Sequence, residues 1–311
     1  MSGSAVDART VDCFIVGAPK CGTTMLFEHL NMHSNCVFPQ KELHFFNTDL
    51  PTRRWAGLSE YLAAFADAPE GAVLGDASVW YLYSRDALTG IRAHNPDARI
   101  VVMLRNPVRA AEALHGQLLL DGRETLHDFE AAWRAIPQRR ETEGPIARQL
   151  EYDRVYEYAP QLERLYAAFP AEQVRVLVLE EFQRAPREAF ASLLGFLGAE
   201  GAAPESFARV NPSKRVRSRA LHYAVYRAPR ALGPLYGAAK RAANALGWRP
   251  GAGLMRLHVD RNVIEAARPP VPAHLVDEMA RTFLPDIARV EEILGRRMDA
   301  WHEALEGRDG A

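Results

Sequence analysis

Hydrophobic residues gather in five short runs along the first two thirds of the chain, and segments with helical spacing separate these runs. Three of the runs are almost continuously apolar, which is typical of strands that are covered on both faces of a parallel sheet. The predicted strands span residues 11–17, 35–39, 72–78, 99–105 and 174–182. The predicted helices span residues 24–33, 58–68, 107–122, 156–170 and 186–198. This alternation predicts a doubly wound α/β fold whose ligands bind beyond the carboxyl ends of the strands.

The pattern changes after residue 200. Residues 213–251 are basic, rich in Ala and interrupted by Pro and Gly. We favour surface helices here over a mobile lid, and a mobile lid over an interfacial helix. Residues 268–301 then show apolar positions at helical spacing, which predicts a C-terminal helix that packs on the core. Because no internal repeat is found, we expect a single domain over residues 1–311, with residues 213–260 as its basic, lid-like segment.

Composition adds few constraints. The 311 residues carry a net charge of −1, which gives no reason to expect a nucleic-acid partner. The three cysteines, Cys13, Cys21 and Cys36, are too few for a disulfide framework and favour a reducing compartment. The first twelve residues lack the apolar core of a signal peptide, and no apolar run approaches the roughly 20 residues of a transmembrane helix. We therefore expect a cytoplasmic protein, whose oligomeric state the sequence does not indicate.

The first predicted strand leads through a glycine-containing loop into a helix, FIVGAPKCGTTMLFEHL, an arrangement that can cradle a phosphate. Gly17 and Gly22 have the spacing of an ATP-binding loop, but Thr23 stands where that loop has its lysine. The lysine lies inside the loop instead, at Lys20. Backbone N–H groups and the hydroxyls of Thr23 and Thr24 can still bind an anion, whereas the contact of a lysine with a terminal phosphate is lost.

Residues 19–24, PKCGTT, resemble the 5′-phosphosulfate loop of sulfotransferases that use 3′-phosphoadenosine 5′-phosphosulfate (PAPS), usually P-K-[SG]-G-T-[ST]. The resemblance implies that Lys20 stabilises the charge that develops on the departing nucleotide phosphate. It also implies that no metal is needed, since a sulfonyl group carries less charge than a terminal phosphoryl group. The residues expected to contact the donor in this loop are Lys20, Cys21, Gly22, Thr23 and Thr24.

Residues 41–47, KELHFFN, resemble the K-E-x-H-F-F segment of bacterial and glycosaminoglycan sulfotransferases. The resemblance implies that Glu42 is the general base that removes the proton of an acceptor hydroxyl. Lys41 and His44 are expected to orient Glu42 or to contact the sulfonyl oxygens.

Residues 75–82, GDASVWYL, resemble a G-[ED]-x-S-x-x-Y-L stretch of the same family. On this resemblance Asp76 and Ser78 face the acceptor, and Asp76 is a second candidate base. The alternative role of Asp76 is a cap for the following helix.

Residues 101–132 resemble the 3′-phosphate segment of the family, L-R-[ND]-P-x-x-R-A-x-S followed by G-x-E-x-x-[ST]-F-E. Arg105 matches the arginine that binds the 3′-phosphate, for which its planar guanidinium is suited. Ala110 and Ala113 replace the family's second arginine and its phosphate-binding serine. Arg109, four residues before Ala113 and hence on the same helical face, either compensates for this loss or is a solvated charge at the helix start.

Residues 210–221 resemble the basic segment that closes over the 3′ side of the nucleotide. Residue type alone does not show which of its basic side chains contacts the donor. We include Arg217 among the predicted donor contacts. The candidates are Lys214, Arg215, Arg217 and Arg219.

Together these features predict a P-loop-like, three-layer α/β/α fold with a central parallel sheet of about five strands. The resemblance implies a PAPS-dependent O-sulfotransferase without a metal, whose acceptor is a hydroxyl of a sugar, a glycolipid or a natural product. The alternatives are a P-loop kinase, against which Thr23 argues, and a catalytically inactive relative that binds a nucleotide or a glycan.

Overall fold

The computed structural model describes residues 10–53, 55–142, 144–199, 202–204, 207, 214–216, 263–265 and 270–305. Five parallel strands form one sheet in the order β2-β3-β1-β4-β5. The strands are β1 (Cys13–Gly17), β2 (Cys36–Val37), β3 (Val73–Ala77), β4 (Arg99–Leu104) and β5 (Val174–Val178). The predicted three-layer α/β/α fold with a five-stranded parallel sheet is thereby confirmed. A short antiparallel pair, β6 (Lys214–Val216) and β7 (Val263–Glu265), lies outside this sheet.

Helices connect the strands and follow the sheet. The helices before β5 are α1 (Thr23–Asn31), α2 (Leu58–Ala63), α3 (Ala87–His94), α4 (Pro107–Leu120), α5 (Phe129–Arg134), α6 (Ile136–Arg140), α7 (Pro145–Gln149), α8 (Tyr152–Val155) and α9 (Ala159–Ala168). The later described helices are α10 (Leu179–Arg184), α11 (Pro186–Leu197), α12 (Ala273–Leu294) and α13 (Asp299–Leu305). In the described ranges no helix has both the length and the apolar character required to cross a membrane.

The central strands are buried along their length, as their apolar sequences predict. Every residue of β1 is buried, and in β4 only Arg99 is exposed. Because β1 lies between β3 and β4, the loops that follow these three strands meet at one edge of the sheet. A further segment reaches this edge, since Lys41 forms a parallel bridge with Ala77 at the end of β3. The fold thus brings four of the sequence segments that resemble sulfotransferase motifs, residues 19–24, 41–47, 75–82 and 101–132, to one edge of the sheet.

The strand predicted over residues 174–182 is too long. The structure ends β5 at Val178 and begins α10 at Leu179. Glu180 and Glu181 lie in the first turn of α10, where acidic side chains interact favourably with the helix dipole. The apolar run of β5 therefore continues in sequence into the first turn of a helix.

The C-terminal helix predicted over residues 268–301 is two helices. Gly295 ends α12 in the left-handed conformation, with φ 64°, and α13 follows. The apolar face of α12 is buried, and the helix contacts α4 and α9. Most of the basic segment, residues 213–260, lies outside the described residues.

Gly75 allows an aromatic ring to pack directly against strand β3. A Cβ atom at this position would lie 2.1 Å from Cε1 of Phe38. We therefore expect Gly75→Ala to lower the free energy of unfolding by about 1–3 kcal/mol through overpacking. Gly195→Ala is the matched control, because Gly195 is an exposed helical glycine at which an added Cβ would meet no atom within 4 Å. The control should be neutral or should stabilise by up to about 1 kcal/mol. Urea denaturation measures both, and an equal effect of the two changes would contradict the packing argument.

Candidate functional site

The loop between β1 and α1 has the backbone geometry of an anion cradle. Gly17 and Gly22 have φ angles of 144° and 94°, and Lys20 has a φ of 61°. A Cβ at Gly22 would lie 2.7 Å from Cδ1 of Leu179, so a larger residue there would also displace that side chain of α10. At the start of α1, Gly22 offers no side-chain cap, and the first turn contains no acidic residue. The N–H groups of this turn are thus suited to an anionic ligand.

Two tyrosines from the connection before α9 fix the loop from the protein interior. The hydroxyl of Tyr156 donates to the carbonyl of Pro19 at 3.0 Å. The hydroxyl of Tyr158 donates to the carbonyl of Arg105 at 2.9 Å and lies 3.5 Å from Sγ of Cys21. Cys21 is fully buried, and burial raises the pKa of its thiol to about 12. The side chain of Cys21 therefore anchors the loop, and only its backbone is available to a donor.

Lys20 and Arg105 lie together on the outer side of this loop. Nη1 of Arg105 donates to the carbonyl of Lys20 at 3.2 Å, so the end of β4 supports the loop. Nζ of Lys20 lies 3.4 Å from Oε1 of Gln117 on α4. The sequence gives no indication of this contact, because Gln117 is 97 positions away from Lys20.

The segment around Glu42 joins the neighbouring strand end. The backbone N–H of Glu42 donates to the carbonyl of Ala77 at 2.9 Å. Glu42 and His44 have φ angles of 65° and 54°. With Lys20, they are the non-glycine residues of the described chain that have positive φ. Each such conformation costs of order 1–3 kcal/mol, and strain of this kind gathers at functional sites.

The carboxylate of Glu42 is held between two basic side chains. Oε1 pairs with Nζ of Lys41, and Oε2 lies 2.6 Å from Nε2 of His44. Burial acts to raise the pKa of Glu42, but the contact with His44 and the charge of Lys41 outweigh it and hold the pKa at about 2. The side chain of Glu42 is 26% exposed. At neutral pH Glu42 is therefore an ionised carboxylate whose side chain is partly exposed.

Asp76 does not face an open acceptor side, in contrast to the expectation from the sequence. It lies within β3 and is fully buried. Its Oδ1 accepts from the hydroxyl of Ser78 at 2.6 Å, and its Oδ2 accepts from Tyr61 at 3.0 Å and Tyr81 at 2.7 Å. Nor does it cap the next helix, whose N-cap position is occupied by Asp86. This burial favours Glu42 over Asp76 as the base.

The start of α4 bears the remaining described candidate for donor binding. Asn106 caps the helix by accepting the backbone N–H of Arg109 at 3.1 Å, and the side chain of Arg109 is half-buried. Ala110 and Ala113 are buried in the core. The backbone of β6 contacts α4, which brings the start of the basic segment towards this helix.

The structure describes two of the four basic candidates in residues 210–221. Lys214 and Arg215 belong to β6, and Arg217 and Arg219 lie outside the described residues. In the part of the chain that the structure describes, no group of His, Cys, Asp and Glu side chains is arranged to hold a metal ion.

Comparison with known proteins finds similarity to sulfotransferases. A family model described as a sulfotransferase domain matches residues 10–211. Heparan sulfate glucosamine 3-O-sulfotransferase 6 of Homo sapiens is 29% identical over 139 residues, which cover 41% of this chain and 40% of that protein. Heparan sulfate glucosamine 3-O-sulfotransferase 3B1 of Homo sapiens is 26% identical over 184 residues, which cover 59% of this chain and 45% of that protein. The chain thus spans less than half the length of these relatives.

A solved structure extends the similarity beyond the matched domain. The crystal structure of a sulfotransferase from Alicyclobacillus acidocaldarius has a TM-score of 0.66 and 27% identity, and it covers 95% of this chain and 99% of its own. Since the family match alone includes well over half of the residues, the chain belongs to the sulfotransferase family.

Proposed function

We propose that this protein transfers the sulfuryl group of PAPS to an acceptor hydroxyl, with a carbohydrate as the favoured class of acceptor. The observation that carries the proposal is the placement of Lys20 and Glu42. Each lies in a strained backbone conformation, and the two lie at the carboxyl ends of the neighbouring strands β1 and β3. A cation for the leaving phosphate and a carboxylate for the attacking hydroxyl are thus presented at one edge of the sheet.

The residues fit a nucleotide donor with two phosphate groups. The first turn of α1, with Gly22, Thr23 and Thr24, would hold the 5′-phosphosulfate through N–H and hydroxyl groups. Arg105 would bind the 3′-phosphate from the end of β4, with Arg109 and the basic segment after residue 213 as further candidates. The two charged groups of the donor would thus be bound at the ends of the neighbouring strands β1 and β4.

The proposed reaction between donor and acceptor uses two side chains of this protein, those of Glu42 and Lys20. The acceptor oxygen forms a bond to sulfur while its proton moves to a carboxylate oxygen of Glu42. The bond between sulfur and the bridging phosphate oxygen breaks, and its electron pair stays on that oxygen beside Lys20. The products are a sulfate ester and adenosine 3′,5′-bisphosphate. We propose that no metal takes part.

Lys41 can couple donor binding to the strength of the base. While Lys41 is paired with Glu42, the low pKa of the carboxylate makes it a weak base. The sulfonyl oxygens of a bound donor offer Lys41 another partner. Once Lys41 has moved to them, the pKa of Glu42 rises towards its ordinary value, and the carboxylate becomes a stronger proton acceptor.

A carbohydrate acceptor is supported by two observations. The similar human proteins are named for the glucosamine of heparan sulfate, and the segment around Glu42 has the form K-E-x-H-F-F. A cytoplasmic location is also proposed, because Cys13, Cys21 and Cys36 are free thiols.

A binding experiment and a transfer assay test the proposal. We expect titration calorimetry to show tighter binding of adenosine 3′,5′-bisphosphate than of ATP with magnesium. Radiolabelled PAPS should then label an acceptor from a panel of glucosamine-containing oligosaccharides, glycolipids and hydroxylated metabolites. Preference for ATP would support a kinase, and nucleotide binding without transfer to any acceptor would support an inactive relative.

We expect Arg105→Ala to weaken the binding of adenosine 3′,5′-bisphosphate by roughly 10- to 100-fold, because charge-assisted hydrogen bonds contribute about 1.5–3 kcal/mol. Adenosine 5′-monophosphate, which lacks the 3′-phosphate, is the control ligand. Arg105 also supports the carbonyl of Lys20, and a loosened loop would weaken both ligands equally. A loss confined to the bisphosphate supports the 3′-phosphate contact.

The same two ligands test Arg109. If Arg109 compensates for the serine that Ala113 replaces, Arg109→Ala weakens binding of the bisphosphate and leaves binding of the monophosphate unchanged. Unchanged affinity for both ligands would mean that Arg109 does not bind the 3′-phosphate.

A further inference from the structure

A buried hydrogen-bond network lies directly behind the segment that carries Glu42. Its centre is Asp76, a fully buried carboxylate that the proposed reaction does not use. Burial raises the pKa of Asp76, although hydrogen bonds from Ser78, Tyr81 and Tyr61 act in the opposite direction. Such a group is costly to bury, and its three hydroxyl partners show that the site is built around it.

The protons of two of these hydroxyls are committed to Asp76. A hydroxyl has one proton to donate and lone pairs with which to accept. Because Ser78 and Tyr81 donate to the carboxylate, their oxygens are left to act as acceptors for other groups. Asp76 therefore fixes which way these two hydroxyl dipoles point.

The groups that these oxygens accept are the backbone N–H groups just after Glu42. Oγ of Ser78 accepts the N–H of His44 at 2.9 Å. The hydroxyl oxygen of Tyr81 accepts the N–H of Phe45 at 2.8 Å, with the N–H of Phe46 at 3.4 Å. Three successive amides of the segment are thus tied to two side chains that one carboxylate orients.

The segment held in this way needs external support. Glu42 and His44 both have positive φ, and a chain keeps such conformations only where its surroundings determine them. His44 in turn places Nε2 at 2.6 Å from the carboxylate of Glu42. Release of the amides of residues 44–46 would let the backbone relax and would move both side chains.

We infer that Asp76 is a positioning residue for sulfuryl transfer, which acts through Ser78 and Tyr81 on the backbone that presents Glu42 and His44. The inference rests on the proposed role of Glu42 as the base. It replaces the expectation from the sequence that Asp76 itself accepts a proton from the acceptor.

Tyr61 provides an internal control. Its hydroxyl also donates to Asp76, at 3.0 Å. Among the described residues, however, its oxygen accepts no N–H of residues 44–46, and its ring stacks on Phe45. Tyr61→Phe therefore removes one hydrogen bond from the same carboxylate, keeps the ring and leaves the backbone contacts in place.

The experiment compares Ser78→Ala, Tyr81→Phe and Tyr61→Phe in the full chain. We expect the first two to lower kcat by roughly 10- to 100-fold, since a displacement of about 1 Å in a reacting group can have this effect. Their affinity for adenosine 3′,5′-bisphosphate should stay within about twofold of the original protein. Tyr61→Phe should leave both quantities within about twofold. Urea denaturation of all three variants shows whether loss of activity follows loss of stability.

A pH profile separates positioning from destabilisation. In the original protein Lys41 and His44 face Glu42 and lower its pKa. If the segment relaxes in Ser78→Ala or Tyr81→Phe, Glu42 loses these contacts, and the acid limb of kcat/KM moves up towards about pH 4–5. Tyr61→Phe should keep the original limb.

The outcomes are distinct. Unchanged kcat in Ser78→Ala and Tyr81→Phe, or an equal loss in all three variants, overturns the positioning role. If one of the two variants does not fold, the other gives the same test. Absence of sulfate transfer by the original protein overturns the proposed function and this inference with it, whereas an active protein with unaffected variants overturns the inference alone.

Discussion

Replacing Lys20 by methionine is expected to lower kcat/KM for sulfuryl transfer by about 10²- to 10³-fold. The change keeps an unbranched side chain only one atom shorter and removes its charge, so the leaving phosphate oxygen loses a stabilising cation. Removal of one such preorganised group typically costs about 2.7–4 kcal/mol of transition-state stabilisation. Initial rates with limiting donor measure kcat/KM, and calorimetry with adenosine 3′,5′-bisphosphate measures the loss that arises from binding alone.

Cys21→Ser is the matched control for Lys20→Met. It changes the neighbouring residue of the same loop to a small polar residue that is common in the family motif. The buried hydroxyl would find the carbonyl of Pro19 and the hydroxyl of Tyr158, which Sγ contacts at 3.4 and 3.5 Å. We expect turnover within about threefold of the original protein. If Lys20→Met is as active as Cys21→Ser, Lys20 has no role in leaving-group departure.

The loop around Lys20 could be predicted because its requirements are local. A buried strand, two glycines at fixed spacing and a helix start define the backbone, and the structure has positive φ at Gly17 and Gly22. Glu42 is also indicated by a contiguous motif. Its place beside the loop follows from the pairing of β1 with β3 and from the bridge between Lys41 and Ala77. The alternation of strands and helices predicts a parallel sheet but not which strands are neighbours.

The supports of the site could not be predicted, because they come from distant parts of the chain. Tyr156 reaches Pro19 across 137 positions, and Gln117 reaches Lys20 across 97. Trp301 is a further example, since its indole N–H donates to Glu180, 121 positions away, at 3.2 Å. A pattern of apolar residues shows that such side chains are buried but not which of them meet.

Asp76 shows why a motif alone does not give the surroundings of a side chain. The sequence places an acidic residue near the end of a strand, where catalytic groups are frequent. The pleat of β3 turns that side chain towards Tyr61 and Tyr81 in the interior, and the aromatic partners come from outside the strand. The direction of one side chain depends on the register of the strand, which the motif does not specify.

Glu42→Gln is expected to lower kcat by about 10²- to 10⁴-fold, the range that a positioned general base contributes. Glutamine has the same shape and can still contact Lys41 and His44, but it cannot accept the proton of the acceptor hydroxyl. Affinity for adenosine 3′,5′-bisphosphate should change little, because the proposed donor contacts lie at the ends of β1 and β4. Glu70→Gln, at an exposed carboxylate, is the control and should leave kcat unchanged.

The pH dependence gives an independent check on Glu42. The pKa of about 2 belongs to the free protein, so Glu42 stays ionised and its protonation should not reduce kcat/KM between about pH 7 and about pH 4. If Lys41 moves to the bound donor, the acid limb of kcat lies at higher pH than the acid limb of kcat/KM.

Since the folded pKa of Glu42 lies below the ordinary 4.5, Glu42 stabilises the fold above pH 4.5 and loses this contribution as pH falls towards 2. Glu42→Gln should remove that part of the acid dependence of unfolding, and full activity in this variant would exclude Glu42 as the base.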